Sequence, residues 1–331
     1  MNSIHQAFEY HLLQLDALFE KAGKQKNPGL WLYRNNARTP FFMLEGLAKL
    51  QAGIGEKKKF SKLKEHFKVV EDALGAVDYY DSFAAEFSKN KTIPKNVITY
   101  LQAQAREKVQ RLNELLEEKG WTGDEVRRLA KARKLLSKTD WPKESATVSA
   151  INAFYGEAIY GIVEFINKSG FHFTNVESDV HELRRKLRWL SIYPQALRGL
   201  VQLSESKKTA PHLKKYLVPE IINSSFNKMP DAGALANFLL LDKNEFLALS
   251  WMIAELGRLK DKGLRQLAIR EALQQNKAIS DEEAFKQAFK LAGGKSLDLP
   301  GILKAAEKIA KTFFEEKNLE YLVVGEGKTK A

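Results

Sequence analysis

No cysteine occurs in the chain. Disulfides and thiolate chemistry are therefore excluded, and the composition suits a reducing cytoplasm. Long apolar runs are missing too. Nothing approaches the roughly 20 consecutive apolar residues that a membrane span needs. The N-terminus, Met1-Asn-Ser-Ile-His-Gln6, has no basic segment leading into an apolar core, so no secretory signal is expected. Catalytic signatures are equally scarce: there is no phosphate-binding glycine loop, no His-Glu-x-x-His pair, no zinc-ligand spacing and no nucleophile motif. The six histidines are scattered, and acid pairs such as Glu71-Asp72 and Glu282-Glu283 read as helix-surface groups. A non-enzymatic protein with no cofactor and no metal is expected.

Positive charge is what the chain does have. The formal net charge is +12 over 331 residues, with 44% hydrophobic and 28% charged residues. That is an ordinary globular composition, long enough for a large core or two packed bundles. The charge favours polyanionic partners: polyphosphate, nucleic acid or an anionic membrane surface.

Apolar periodicity predicts helices almost throughout. Ile4 to Ala22 carries Phe8, Leu12, Leu15 and Phe19 on one side, which leaves His5 and His11 as surface residues. Asn27-Pro28 opens a second helix bearing Arg34 and Arg38, and Pro40 either kinks it or starts a new helix capped by Thr39. Helices follow over 60–87, from Pro94 to about Lys119, over 147–168, over 244–275, over 280–291 and over 302–316. Asp124-Glu125 suits a helix start, ahead of a lysine-rich stripe at Arg127, Lys131, Lys134 and Lys138. Asp140-Trp-Pro-Lys-Glu144 is the halfway boundary. It divides residues 1–142 from residues 143–331 and is too short for a flexible linker, so the halves should pack together. Leu319 to Val324 is the one strand-like run, and the tail from Gly325 is expected to be disordered.

The stretch Val176-Glu-Ser-Asp-Val-His-Glu-Leu-Arg-Arg-Lys-Leu-Arg-Trp-Leu190 stands apart. Read as a helix capped by Ser178 or Asp179, it puts His181, Arg184, Arg185 and Arg188 on one face and Val180, Leu183, Leu187 and Leu190 on another. Like charges one turn apart repel, and only Glu177 lies near that face. The stripe is either a solvated charged face or an anion site. A weaker stripe, Arg258, Lys262 and Arg265, is diluted by Glu255 and Asp261.

His181-x-x-Arg184-x-x-x-Arg188 resembles the signature of CHAD domains, all-helical modules in which a histidine-and-basic motif opens each half of a duplicated fold. Asp72-Ala-Leu-Gly-Ala-Val-Asp-Tyr-Tyr-Asp81 and Glu255-Leu-Gly-Arg-Leu-Lys-Asp261 resemble the family's paired Ala-Leu-Gly segments. The first-half counterpart of the signature is Asn35-Asn-Ala-Arg38, with asparagine where the family has histidine. Phe42, Met43, Trp189 and Ser191 occupy basic positions of the pattern, and Asp78 replaces an arginine. Between Arg188 and Leu256 the second half is longer than the first, which places an insertion at about 204–244.

The resemblance implies an all-α fold of two pseudo-repeated antiparallel four-helix bundles packed into one unit. It also implies binding of inorganic polyphosphate, or a similar phosphate-rich polyanion, in a basic central groove. Arg184 and Arg188 would be the main contacts. His181 would donate once protonated, Arg185 and Lys186 would assist, and Arg34 and Arg38 would add charge from the first half; Arg258, Lys262 and Arg265 complete the candidate set. Two other readings stand beside it. One is unspecific nucleic-acid binding through the phosphate backbone. The other is a degenerate scaffold for protein interaction, marked by apolar surface at the groove mouth.

Overall fold

The computed structural model describes residues 2–122, 127–205, 209–276, 279–294 and 297–329. Helix α1 (Ser3–Ala22) begins where the Asn2 side chain accepts from the Ile4 and His5 amides. It buries Ile4, Phe8, Leu12, Leu15 and Phe19 as one stripe. Asn27 caps the short α2 (Pro28–Arg34) by accepting from the Leu30 amide. A new helix, α3 (Arg38–Ile54), then starts at Arg38, so Pro40 lies buried in its first turn rather than at a kink. Its cap position is Ala37, not Thr39. The long α4 (Lys57–Phe87) packs back along α3, α5 (Lys95–Glu118) packs back along α4, and α6 (Arg128–Ser137), packed on α1, follows. Asp124 and Glu125 lie outside the described residues.

The second half opens with α7 (Glu144–Ser169). A single π-helical turn, Val176–His181, then feeds α8 (Glu182–Ala196). The cap is Asn175, whose side chain accepts from the Glu177 and Ser178 amides. Asp179 does not cap but folds back to accept from the Thr174 and Asn175 amides, the reciprocal half of a capping box. Pro194 is accommodated in the last turn of α8 without ending it.

The chain is largely helical rather than purely α. Strand β1 (Val201–Ser204) ends where the expected insertion begins, and the expected stretch itself holds the short α9 (Pro219–Ile222) and strand β2 (Asn237–Asp242). β1 pairs parallel to β2, and β2 pairs antiparallel to β3 (Val323–Lys328), giving the order β1-β2-β3. The C-terminal strand thus lies downstream of the expected run. Residues 325–328, expected to be disordered, are held in it by β2. Asp242 at the end of β2 accepts from the Asn244 and Glu245 amides and so starts α10 (Lys243–Asn276). α11 (Asp281–Leu291), capped by Ser280, and α12 (Leu299–Glu315), capped by Asp298, follow. Among the described residues no helix is long and apolar enough to cross a membrane.

One continuous core runs from Ile4 to Leu322, and a smaller one joins the ends of α4 and α10 to α5 and α11. The halves meet directly where α3 packs on α8. There Phe42 stacks on Trp189 at 4.6 Å, and Trp189 covers Gly46.

His11, expected at the surface, is 3% exposed. Its Nε2 lies 3.2 Å from the Ala196 carbonyl, so α1 is tied to the end of α8. Burial, the largest cause, pushes its pKa down from 6.5 to about 4, against the help of those hydrogen bonds. Below pH 6.5 the unfolded chain takes up a proton that the folded chain refuses. The contribution is therefore complete above pH 6.5 and is lost as pH falls toward 4. Between pH 7.5 and pH 5, the wild type should lose about 2 kcal/mol more stability than a His11→Gln variant in urea unfolding. Parallel pH profiles for the two proteins would contradict this.

Candidate anion-binding site

The basic stripe of α8 meets two long helices and the start of α3. Arg184 reaches toward α10, where its Nε donates to the Ile253 carbonyl at 3.2 Å. Its guanidinium lies against Gly257: a Cβ there would come within 3.0 Å of Nε. Arg38, at the start of α3, does the same on α4. A Cβ on Gly75 would come within 2.7 Å of its Nη2. Each arginine crosses a long helix where the helix has no side chain. Arg188 lies with its guanidinium 4.5 Å from the centre of the Phe42 ring, a cation–π contact, and feels the positive charge of both Arg184 and Arg38. The three arginines thus form one cluster with members from both halves.

Their charge partners differ sharply. Arg38 is neutralised by Glu71 at 2.7 Å and Asp78 at 3.3 Å. Among the described residues, neither Arg184 nor Arg188 has a carboxylate within ion-pair distance. Both are half-buried. Burial, the first cause in each case, pushes Arg184 below its ordinary range and Arg188 down to about 10, where Arg184 and Arg38 add to the shift. Arg184 keeps its hydrogen bond to the Ile253 carbonyl and the more distant charge of Asp261, and Arg188 keeps the Phe42 ring and the charge of Glu71, but burial outweighs these in both.

His181 closes the π-helical turn one helical turn ahead of Arg184. Its Nδ1 is sealed from solvent, lies 3.4 Å from Glu177 Oε2 and makes no hydrogen bond. Burial holds its pKa below 6.5. Glu177 opposes this, while Lys260, Arg184 and Arg185 reinforce it. The ion-pair distance alone suggests a charged histidine, but desolvation outweighs it, which favours the neutral form near pH 7.

The other predicted residues are not gathered here. Arg185 is exposed and pairs with Glu182 at 2.6 Å, and Lys186 leans on the same carboxylate at 3.5 Å and over Phe165. Arg34 stands exposed at the end of α2, without an ion-pair partner among the described residues. Arg258 pairs with Glu220 at 3.0 Å and with Glu255, and Arg265 with Glu86 at 2.6 Å. Lys262 is exposed. Of the lysine-rich stripe, Lys131, Lys134 and Lys138 are exposed, while the neighbouring half-buried Arg133 is locked between Glu9 and Asp16.

Two residues that sequence reasoning passed over stand on α3, one turn apart. Glu45 is buried, and burial followed by Glu71 raises its pKa to about 7. Lys49 lies 4.7 Å over the Trp189 ring and is pushed down to about 8 by burial, with Glu45 the main opposing charge. Their i,i+4 spacing was visible; their burial against α8 was not.

The cluster offers planar guanidinium donors on rigid elements, suited to a tetrahedral oxyanion. No group of histidine and carboxylate residues among those described is arranged to hold a metal ion. Compared with protein-family models, curated proteins and solved structures, the chain matches none of them.

Proposed function

We propose that the chain binds a phosphate-rich anion, without hydrolysing it, in the groove where Arg184, Arg188 and Arg38 converge. The observation that carries this reading is the pair Arg184–Arg188: two half-buried guanidiniums one turn apart, neither with a carboxylate within ion-pair distance among the described residues, offset only by the more distant charges of Asp261 and Glu71. A bound oxyanion supplies that missing charge, and His181 becomes an added donor once the anion favours its protonated form. Arg185 and Lys186 assist only after leaving Glu182.

The same reading takes the fold as a duplicated, CHAD-like pair of antiparallel four-helix bundles. What supports it is the equivalence of Arg38 over Gly75 with Arg184 over Gly257: the same residue type, at the start of the same kind of helix, against a glycine on the following long helix. The second interval is longer by the stretch that holds β1, α9 and β2. The interaction-scaffold alternative loses its marker, because Phe42 and Trp189 are stacked on each other and covered by Arg188 and Lys49 instead of forming an apolar mouth.

The test is a calorimetric titration of the protein and an Arg184→Ala/Arg188→Ala variant with pyrophosphate, repeated with duplex DNA as competitor. Binding that is lost in the variant and survives the DNA supports the reading. Equal binding by both proteins, or full displacement by DNA, contradicts it.

A further inference from the structure

Carboxylates border the Arg184–Arg188 pair on each side. Toward α4, Arg38 is engaged by Glu71 and Asp78, and Asp81 beyond them accepts from the Tyr33 hydroxyl at 3.0 Å. Past His181 stands Glu177, and Tyr79 lies within electrostatic reach of both Glu177 and Glu271. Glu271 in turn accepts from the Tyr80 and Tyr100 hydroxyls at 3.0 and 2.7 Å. Toward α10, Lys260 is held by Asp261 at 2.9 Å.

From this frame we infer that the groove is built for a compact anion of one or two phosphate groups, a phosphomonoester or pyrophosphate, and not for a long phosphate chain. The inference rests on the phosphate reading above and adds its length limit. Two guanidinium forks present enough N–H donors to satisfy one phosphate group and the near oxygens of a second. A third phosphate has to pass Glu71 and Asp78 or Glu177, where like charge opposes it. Arg38, the cation that would carry the chain onward, already has its charge engaged by two carboxylates, Nε donating to Glu71 and Nη1 to Asp78. The neutralising acids Glu71 and Asp78 stand on α4 one turn before and one turn after Gly75. At the corresponding positions of α10, around Gly257, stand Ile253 and Lys260. The acids are thus a feature of the first half alone, and they shorten the site from that side.

Length dependence tests this directly. Affinities of the full chain are measured by calorimetry for orthophosphate, glycerol phosphate, pyrophosphate, tripolyphosphate and a longer linear oligophosphate at fixed ionic strength. Affinity should rise from orthophosphate to pyrophosphate and then level off, changing by less than about threefold with further phosphates. A glycerol phosphate affinity equal to that of pyrophosphate identifies a monoester pocket, and a weaker one identifies a pyrophosphate site; both outcomes fit the length limit. In a Glu71→Gln/Asp78→Asn variant, which frees Arg38, the rise should continue through tripolyphosphate by about tenfold. An affinity of the unmodified protein that climbs about tenfold or more beyond pyrophosphate would overturn the length limit while leaving the phosphate reading intact. Absence of binding to every phosphate, with Arg184→Ala/Arg188→Ala indistinguishable from the parent, would overturn the phosphate reading itself and the length limit with it.

Discussion

Removing both guanidiniums with Arg184→Ala/Arg188→Ala is expected to weaken pyrophosphate binding by about three orders of magnitude, from two charge-assisted contacts at roughly 2 kcal/mol each. The loss should shrink as salt rises, because both arginines are only half-buried and salt screens charge contacts that solvent can reach. Stability should move the other way. Each substitution removes a cation that burial already penalises, so the double variant should melt no lower than the parent in the absence of ligand. That pairing separates a binding role from a structural one: arginines that served the fold would lower the melting temperature when removed. The same substitution at Arg133 gives the contrast, because Arg133 bonds both Glu9 and Asp16. Its loss leaves two carboxylates unpaired, lowers stability and leaves phosphate affinity unchanged.

Trp189→Ala should be a severe single change to the fold, costing about 3–5 kcal/mol. Trp189 is 7% exposed, stacks on Phe42 from the first half and on Tyr193 at 5.9 Å, and carries the Lys49 ammonium on its ring. Gly46, directly beneath its ring, offers no side chain to the gap. Phe42→Ala should cost less, because Phe42 is only half-buried. Urea unfolding reads both. A loss under about 1 kcal/mol for Trp189→Ala would mean that α3 and α8 do not pack through this residue. Because Trp189 also backs Phe42, on which Arg188 rests, Trp189→Ala should weaken phosphate binding as well, whereas Trp189→Phe should restore most of both properties.

Helices were legible wherever one apolar stripe decided the outcome. Phe8, Leu12 and Leu15 define α1, and Leu63, Phe67 and Leu74 define α4, at the spacing that places them on one face. The stripe of Arg184 and Arg188 was legible for the same reason. What escaped depends on partners far away in sequence. His11 reads as polar, and only the Ala196 carbonyl from α8 makes its burial tolerable. Asp179 reads as a cap, yet its carboxylate turns back to amides that precede it. β1 is four residues long and exists because β2 pairs beside it, so no local pattern marks it. Arg38 and Arg184 look alike in the sequence, but the acids at Glu71 and Asp78 make the first a neutralised cation.

The most direct test of the central claim watches the guanidiniums themselves. Side-chain Nε–H resonances of the arginines are followed by NMR while pyrophosphate is added. The account predicts large, saturable shifts of Arg184 and Arg188 with one common affinity, a smaller response of Arg38, and none at Arg133. Small, unsaturating shifts spread evenly over exposed arginines such as Arg34 and Arg185, with Arg184 and Arg188 no different, would contradict it.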